Sequence, residues 1–426
     1  MTVFADALLI DPEAGTAAPG WLRVEDGLIA ERGEGPAPAG PDRVDCAGLP
    51  LAPGIVDMRV FVGDPGARHR EGYRSAGAAA AAGGVTTIIS QPDTSPPLDD
   101  PALLQYALER ARANCRVNVR AMGALTRGLE GREMTEQQFL LDAGAVALTD
   151  ADRAVEDTRL LRAIMSYATS TGALIVHHCQ EPGLSHGACA TSGEFASRLA
   201  LPSVPAIAER MGLERDLALV EATGCRYHAA QLSTEAALAP LSRARAAGLD
   251  VTAAVSIHHL TLNEFDVADY RTFFKLCPPL RPEGDRTAMV EALAEGLIDI
   301  VVSSHLPQDE EAKRLPFEEA ATGAVGLETF LPAMLRLHHS GQLTLPQLFR
   351  AASLEPARRL GLPSGRLGPG APADLVLFDP DRPFVLDRWR LCSRSKNTPF
   401  DRTRMEGKVL GTWVAGTRVY DEDDDA

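Results

Sequence analysis

At 426 residues the chain is too long for one small core and suits one large barrel plus a smaller domain. Hydrophobic residues make up 45% and charged residues 23%, the balance of an ordinary soluble globular protein. A net charge of −16 argues against a nucleic-acid partner, because phosphate-backbone binders need a clustered basic face.

No apolar run approaches the roughly 20 residues that a membrane span requires. The N-terminus has neither the basic start nor the apolar centre of a signal peptide. Seven scattered cysteines (Cys46, Cys115, Cys179, Cys189, Cys225, Cys277 and Cys392) form no CxxC pair, which suggests reduced, structural thiols in a cytoplasmic protein. The acidic run at 421–425 reads as a solvated tail.

In chain order, residues 1–52 alternate apolar and polar positions in short bursts, with Gly27 supplying a hairpin turn, and read as antiparallel strands. Residues 53–362 alternate β-branched bursts with alanine-rich helical stretches. Strands are predicted over 54–62, 85–90, 116–121, 145–149, 174–179, 226–232, 250–255 and 297–303. Eight such bursts alternating with helices predict a (β/α)8 TIM barrel, an α/β fold that places its chemistry at the C-terminal strand ends. Residues 363–426 return to strands. The two terminal segments are expected to join in one small composite β-sandwich domain.

Several segments, taken in order, resemble the bacterial dihydroorotases of the amidohydrolase superfamily. Residues 53–66 (PGIVDMRVFVGDPG) are similar to that family's first-strand motif PGxxDxHxHxRxPG. Residues 80–88 (AAAGGVTTI), 91–96 (QPDTSP), 275–281 (KLCPPLR) and 395–400 (SKNTPF) follow at the expected intervals. Each motif is weak alone; their joint order is specific and covers essentially the whole chain.

The resemblance implies a metal site, and its positions are largely replaced. Two histidines two apart on a strand share a face and can grip one zinc ion. The matching positions carry Arg59 and Phe61, which cannot ligate zinc. A further histidine position falls on Gln231, and the catalytic aspartate of the DHAPH motif falls on Ser304, which can neither bind metal nor shuttle the proton of an attacking water. Only Asp150 and His178 keep their types, two of six positions. The substrate positions have changed as well: the carboxylate-clamping arginine aligns with Gly63, and two asparagines align with Asp93 and Cys277.

From these replacements we expect Arg59 to pair with Asp150, which would otherwise be an uncompensated buried anion. We expect no catalytic residue and no cofactor, and zinc only if an altered site survives. The resemblance then implies a pseudoenzyme of de novo pyrimidine biosynthesis, a non-catalytic scaffold for the aspartate transcarbamoylase catalytic chain in a homo- or hetero-oligomer. One alternative is a cyclic amidohydrolase that opens the ring amide of dihydroorotate through an atypical site. Another is a metal-free metabolite-binding module. A hydantoinase-type site is less favoured, since no lysine stands near Asp150 to bridge two metals.

Among the other histidines, His69 lies on the loop after the first barrel strand and reads as exposed. His177, His258, His259 and His305 lie near strand ends but show no ligand spacing, and His338-His339 reads as structural. The small residues of 76–84 lack the Lys-Ser/Thr ending of a phosphate loop and are expected to serve close helix packing. No GxSxG elbow is present.

Overall fold

The computed structural model describes residues 1–267 and 270–424. Asp425 of the acidic run lies outside them. Within them, Asp421 ends a strand and pairs with Arg418, while Glu422 pairs with Arg382 at 2.6 Å, so the run is tied down more than a solvated tail would be.

Strands β1 (Thr2–Asp11), β2 (Thr16–Glu25), β3 (Leu28–Gly33), β4 (Asp42–Asp45) and β5 (Pro50–Pro53) come from the N-terminal segment. The barrel strands are β6 (Ile55–Val60), β7 (Val85–Ser90), β8 (Asn118–Ala124), β9 (Ala145–Thr149) and β10 (Leu174–His177). After a short excursion, β11 (Ala190–Thr191) with β12 (Ser203–Val204), the barrel resumes with β13 (Arg226–Ala229), β14 (Val251–Ser256) and β15 (Ile300–Val302). The C-terminal segment adds β16 (Leu375–Val385), β17 (Arg404–Val414) and β18 (Thr417–Asp421).

The barrel strands run parallel in the order β6 to β10, β13, β14, β15. The ring is drawn together by a parallel bridge between Val60 and His305, with the Phe61 amide donating to the His305 carbonyl at 2.9 Å. Both faces of such a sheet are buried, which is why β6 and β7 are buried at every residue and are rich in apolar and β-branched side chains. Inward-facing Met58, Ile89, Met122, Val176, Ile300 and Val302 fill the interior as a separate cluster.

The helix Tyr73–Ala82 shows why its sequence is so small-residued. A Cβ on Gly77 would lie 2.6 Å from the Cys115 sulfur, and one on Gly83 would lie 2.1 Å from the Leu327 carbonyl oxygen. Close packing accounts for the segment.

The terminal segments meet in one eight-stranded sheet, ordered β18-β17-β16-β5-β1-β2-β3 with β4 beside β1. It curls round a core of its own that includes Phe4, Leu22, Leu51, Leu375 and Trp413, and the Phe4 and Trp413 rings meet edge-on at 5.0 Å. Barrel and composite sheet domain are therefore as expected. No helix among the described residues is long and apolar enough to cross a membrane.

Candidate active site

The C-terminal strand ends open into a cavity of about 930 Å³, walled by loops that follow β8, β9 and β10 and by the segment around Cys277. Asp150, Asp152, His178 and Cys277 face it. Arg59 lies near the end of β6, and Phe61 and Gly63 follow on the segment leaving it, so one strand and its exit carry three of the positions singled out from sequence.

Arg59 does not pair with Asp150. Its guanidinium bonds to the Asp152 carboxylate, and its Nε donates to the Ser304 hydroxyl at 3.4 Å. Both Asp150 oxygens are engaged elsewhere. Its Oδ1 accepts from the Leu125 and Thr126 amides at 2.9 and 3.0 Å, and its Oδ2 from the Thr126 hydroxyl at 2.5 Å. The chain then turns at Ala151, whose φ is +56°, and brings Asp152 to the guanidinium instead. Burial still raises the Asp150 carboxyl above its usual range, against these three bonds.

Ser304, also left-handed at φ +52°, donates its hydroxyl to Gln231 Oε1 at 3.1 Å. Backbone strain at a strand end is commonly stored at working sites. The Gln231 Nε2 is buried without an acceptor among the described residues, and so are His178 Nδ1 and Asp93 Oδ1 without partners. His178 Nε2 lies 3.9 Å from the Cys277 sulfur. Burial pushes this imidazole down to about 4 and the Cys277 thiol up to about 12, so both are neutral near pH 7. Burial, and then the neighbouring Asp152, raises Asp93 to about 6.

Phe61 is buried, and Arg70 lies over its ring at 4.4 Å while its Nε and a terminal nitrogen donate to the Pro307 carbonyl at 2.9 and 2.8 Å. Gly63 can hold no side chain: a Cβ there would sit 2.4 Å from the Ala67 carbonyl oxygen. Arg70 and Asp152 were missed from sequence. Their only signal was proximity, Asp152 two residues past Asp150 and Arg70 on the loop after β6.

The remaining histidines have other duties. His69 is exposed and faces Asp309 at 3.3 Å. His177 is clamped between Asp216 at 2.6 Å and the Val155 amide at 3.0 Å. His259 faces the Pro278 and Pro279 carbonyls at 3.1 and 3.3 Å, His305 accepts from the Gly326 amide at 3.2 Å, and His258 is buried against Phe400. His338 and His339 end the helix Phe330–His339.

Zinc is the metal that the resemblance implies, and the donor set does not fit it. Catalytic zinc takes about three protein ligands. Among the described residues no group of three or more His, Cys, Asp or Glu side chains is arranged to hold a metal ion. Asp150 already accepts three hydrogen bonds, and the Arg59 guanidinium bonds to Asp152 two residues on.

A family model described as dihydro-orotase-like matches residues 48–237. A protein named dihydroorotase from Pelobacter propionicus is 38% identical over 413 residues, 97% of each chain. One of the same name from Syntrophus aciditrophicus is 38% identical over 419 residues, 97% of this chain and 98% of that one. This chain belongs to the dihydroorotase-like family.

Among solved structures, the L-hydantoinase (dihydropyrimidinase) from Arthrobacter aurescens is 26% identical, covers 99% of this chain and 96% of its own, and superposes with a TM-score of 0.90. A D-hydantoinase at 20% identity and a TM-score of 0.84 shares the fold. The expectation of a non-catalytic scaffold is overturned by these relatives, which carry an enzyme's name over nearly their whole length. Replaced ligand positions do not by themselves mean lost activity in a chain related to named enzymes end to end.

Proposed function

We propose that the chain is a cyclic amidohydrolase of the dihydroorotase type, opening the ring amide of dihydroorotate or closing carbamoyl-aspartate at the barrel mouth through an atypical site. The observation that carries this reading is the 38% identity to a dihydroorotase across 97% of both chains. The intact cavity, with neutral His178 facing it, supports it further.

Ring-amide hydrolysis needs a proton acceptor for water and a donor for the developing oxyanion. In the proposed mechanism His178, unprotonated at working pH and on the cavity wall, takes a proton from water as its oxygen bonds to the ring carbonyl carbon, and returns it to the ring nitrogen as the C–N bond breaks. Arg59 donates to the oxyanion once the substrate has displaced Asp152.

The test incubates purified chain with dihydroorotate, with carbamoyl-aspartate and with hydantoin, and follows ring opening and closure beside a His178→Ala variant. Loss of a general base costs about 100-fold or more. Turnover that falls by that factor in the variant supports the reading; no turnover in either direction overturns it.

The unsuitable metal donor set favours a second reading, a metabolite-binding module without turnover. A ligand that binds only the folded chain raises its melting temperature, so carbamoyl-aspartate, dihydroorotate and orotate are the compounds to try. Association with an aspartate transcarbamoylase catalytic chain is a separate proposal that rests on the resemblance alone, and co-purification from the host tests it.

A further inference from the structure

We infer that Arg59 is a built-in cation standing in the family's metal seat, and that Asp152 is an internal anion that holds this seat until a ligand's carboxylate or carbonyl oxygen displaces it. The inference rests on the proposed reading only in taking the barrel mouth as the working site.

Three of the replaced ligand positions are not independent losses. Arg59 Nε donates to Ser304 Oγ at 3.4 Å, and Ser304 Oγ donates to Gln231 Oε1 at 3.1 Å. The substitutes form one hydrogen-bonded chain across β6, the end of β15 and the end of β13. Of the polar side-chain atoms of these three residues, only Gln231 Nε2 is buried without a partner among the described residues. Ser304 also keeps its left-handed backbone to make these contacts.

The charge is permanent. A guanidinium stays protonated at any working pH, whereas a divalent ion would meet that fixed like charge beside His178 and an Asp150 already carrying three hydrogen bonds. The orientation matters too. The Arg59 side chain is 9% exposed and the Asp152 side chain 25%, so Asp152 lies on the cavity side of the pair. A small anion or a polarised carbonyl entering from the cavity reaches Arg59 by exchanging with Asp152.

The experiment uses the whole chain in two arms, both without substrate. In the first, protein is dialysed against zinc chloride and then against metal-free buffer, and its zinc content and melting temperature with and without EDTA are measured. Well under one equivalent of zinc and no EDTA effect are expected. One equivalent, removed by EDTA with a fall in melting temperature, overturns the inference.

In the second arm Arg59→Met, Asp152→Asn and the double variant are melted. Each single variant should lose several degrees, and the double should lose little more than Arg59→Met alone, because the two act as a pair. Additive losses overturn the inference. If Arg59→Met does not fold, Arg59→Lys with Asp152→Asn completes the cycle on the same criterion. Neither arm reads turnover, so a silent activity assay would strike the proposed function and leave this inference standing.

Discussion

A buried carboxylate is held by its donors, and Asp150 shows how completely. Two backbone amides and one hydroxyl converge on it from the turn after β8, so its role is to pin that turn against the end of β9. Asp150→Ala strands the Thr126 amide and hydroxyl in a buried place and leaves the Leu125 amide only the Thr149 carbonyl at 3.2 Å, and each unsatisfied group costs about 1–3 kcal/mol. We expect a loss of several kcal/mol in denaturant unfolding, and a smaller loss for Asp150→Asn, which keeps one acceptor oxygen. Equal stability of Asp150→Ala and the parent chain would show that the convergence is not what holds the turn. The sequence revealed that Asp150 would be buried and needed partners, but it could not show which ones. That choice depends on one left-handed residue, Ala151, which swings Asp152 rather than Asp150 toward Arg59.

At the scale of the element, the loop leaving β6 carries the largest departure from the family motif. Gly63 donates its amide to the Glu71 carbonyl at 3.0 Å, and the chain at Ala67 folds directly over its α-carbon. Glu71 is buried and gathers the Ser75 hydroxyl, the Ser393 hydroxyl and the Arg394 amide, fastening this loop to the C-terminal segment. Restoring an arginine by Gly63→Arg therefore does not rebuild a carboxylate clamp. The new Cβ would lie 2.4 Å from backbone, which cannot swing away as a side chain can. Overpacking of this kind costs about 1–3 kcal/mol. The expected outcome is a lower melting temperature with no gain in affinity for dihydroorotate by calorimetry. Tighter binding at unchanged stability would mean the loop can open.

The strands themselves were legible because a parallel barrel buries both strand faces, so they show as short bursts rich in apolar and β-branched residues. Closure was not legible. It depends on Val60 meeting His305 across the chain, and no local pattern records that pairing.

Across the whole molecule, charge is buried in opposite senses, and the balance sets how the fold responds to acid. Burial pushes His228 and His258 down to about 3 and His259 to about 4, well below the ordinary 6.5. Between those values the unfolded chain binds protons that the folded chain refuses, so stability falls as pH drops below about 6.5. Asp57 and Asp93, raised to about 6 chiefly by burial, act the other way: the folded chain takes up their protons first, and that contribution is lost as pH rises through about 6. The two carboxyls offset part of the histidine effect, and a net loss of stability on acidification remains.

His258 isolates one contribution. It is fully buried, neither ring nitrogen has a hydrogen-bond partner among the described residues, and the titratable groups that bear on it are His259 and His305. From pH 6.5 to 5 its refusal to charge costs about 2 kcal/mol at the usual 1.4 kcal/mol per unit. His258→Leu removes that term and leaves an apolar side chain in an apolar place. Acidification from pH 7 to 5 should therefore lower the variant's melting temperature less than the parent's. Parallel losses would place the acid sensitivity elsewhere, with the carboxylates held low by their partners, Glu71 and Asp216, as the groups to examine next.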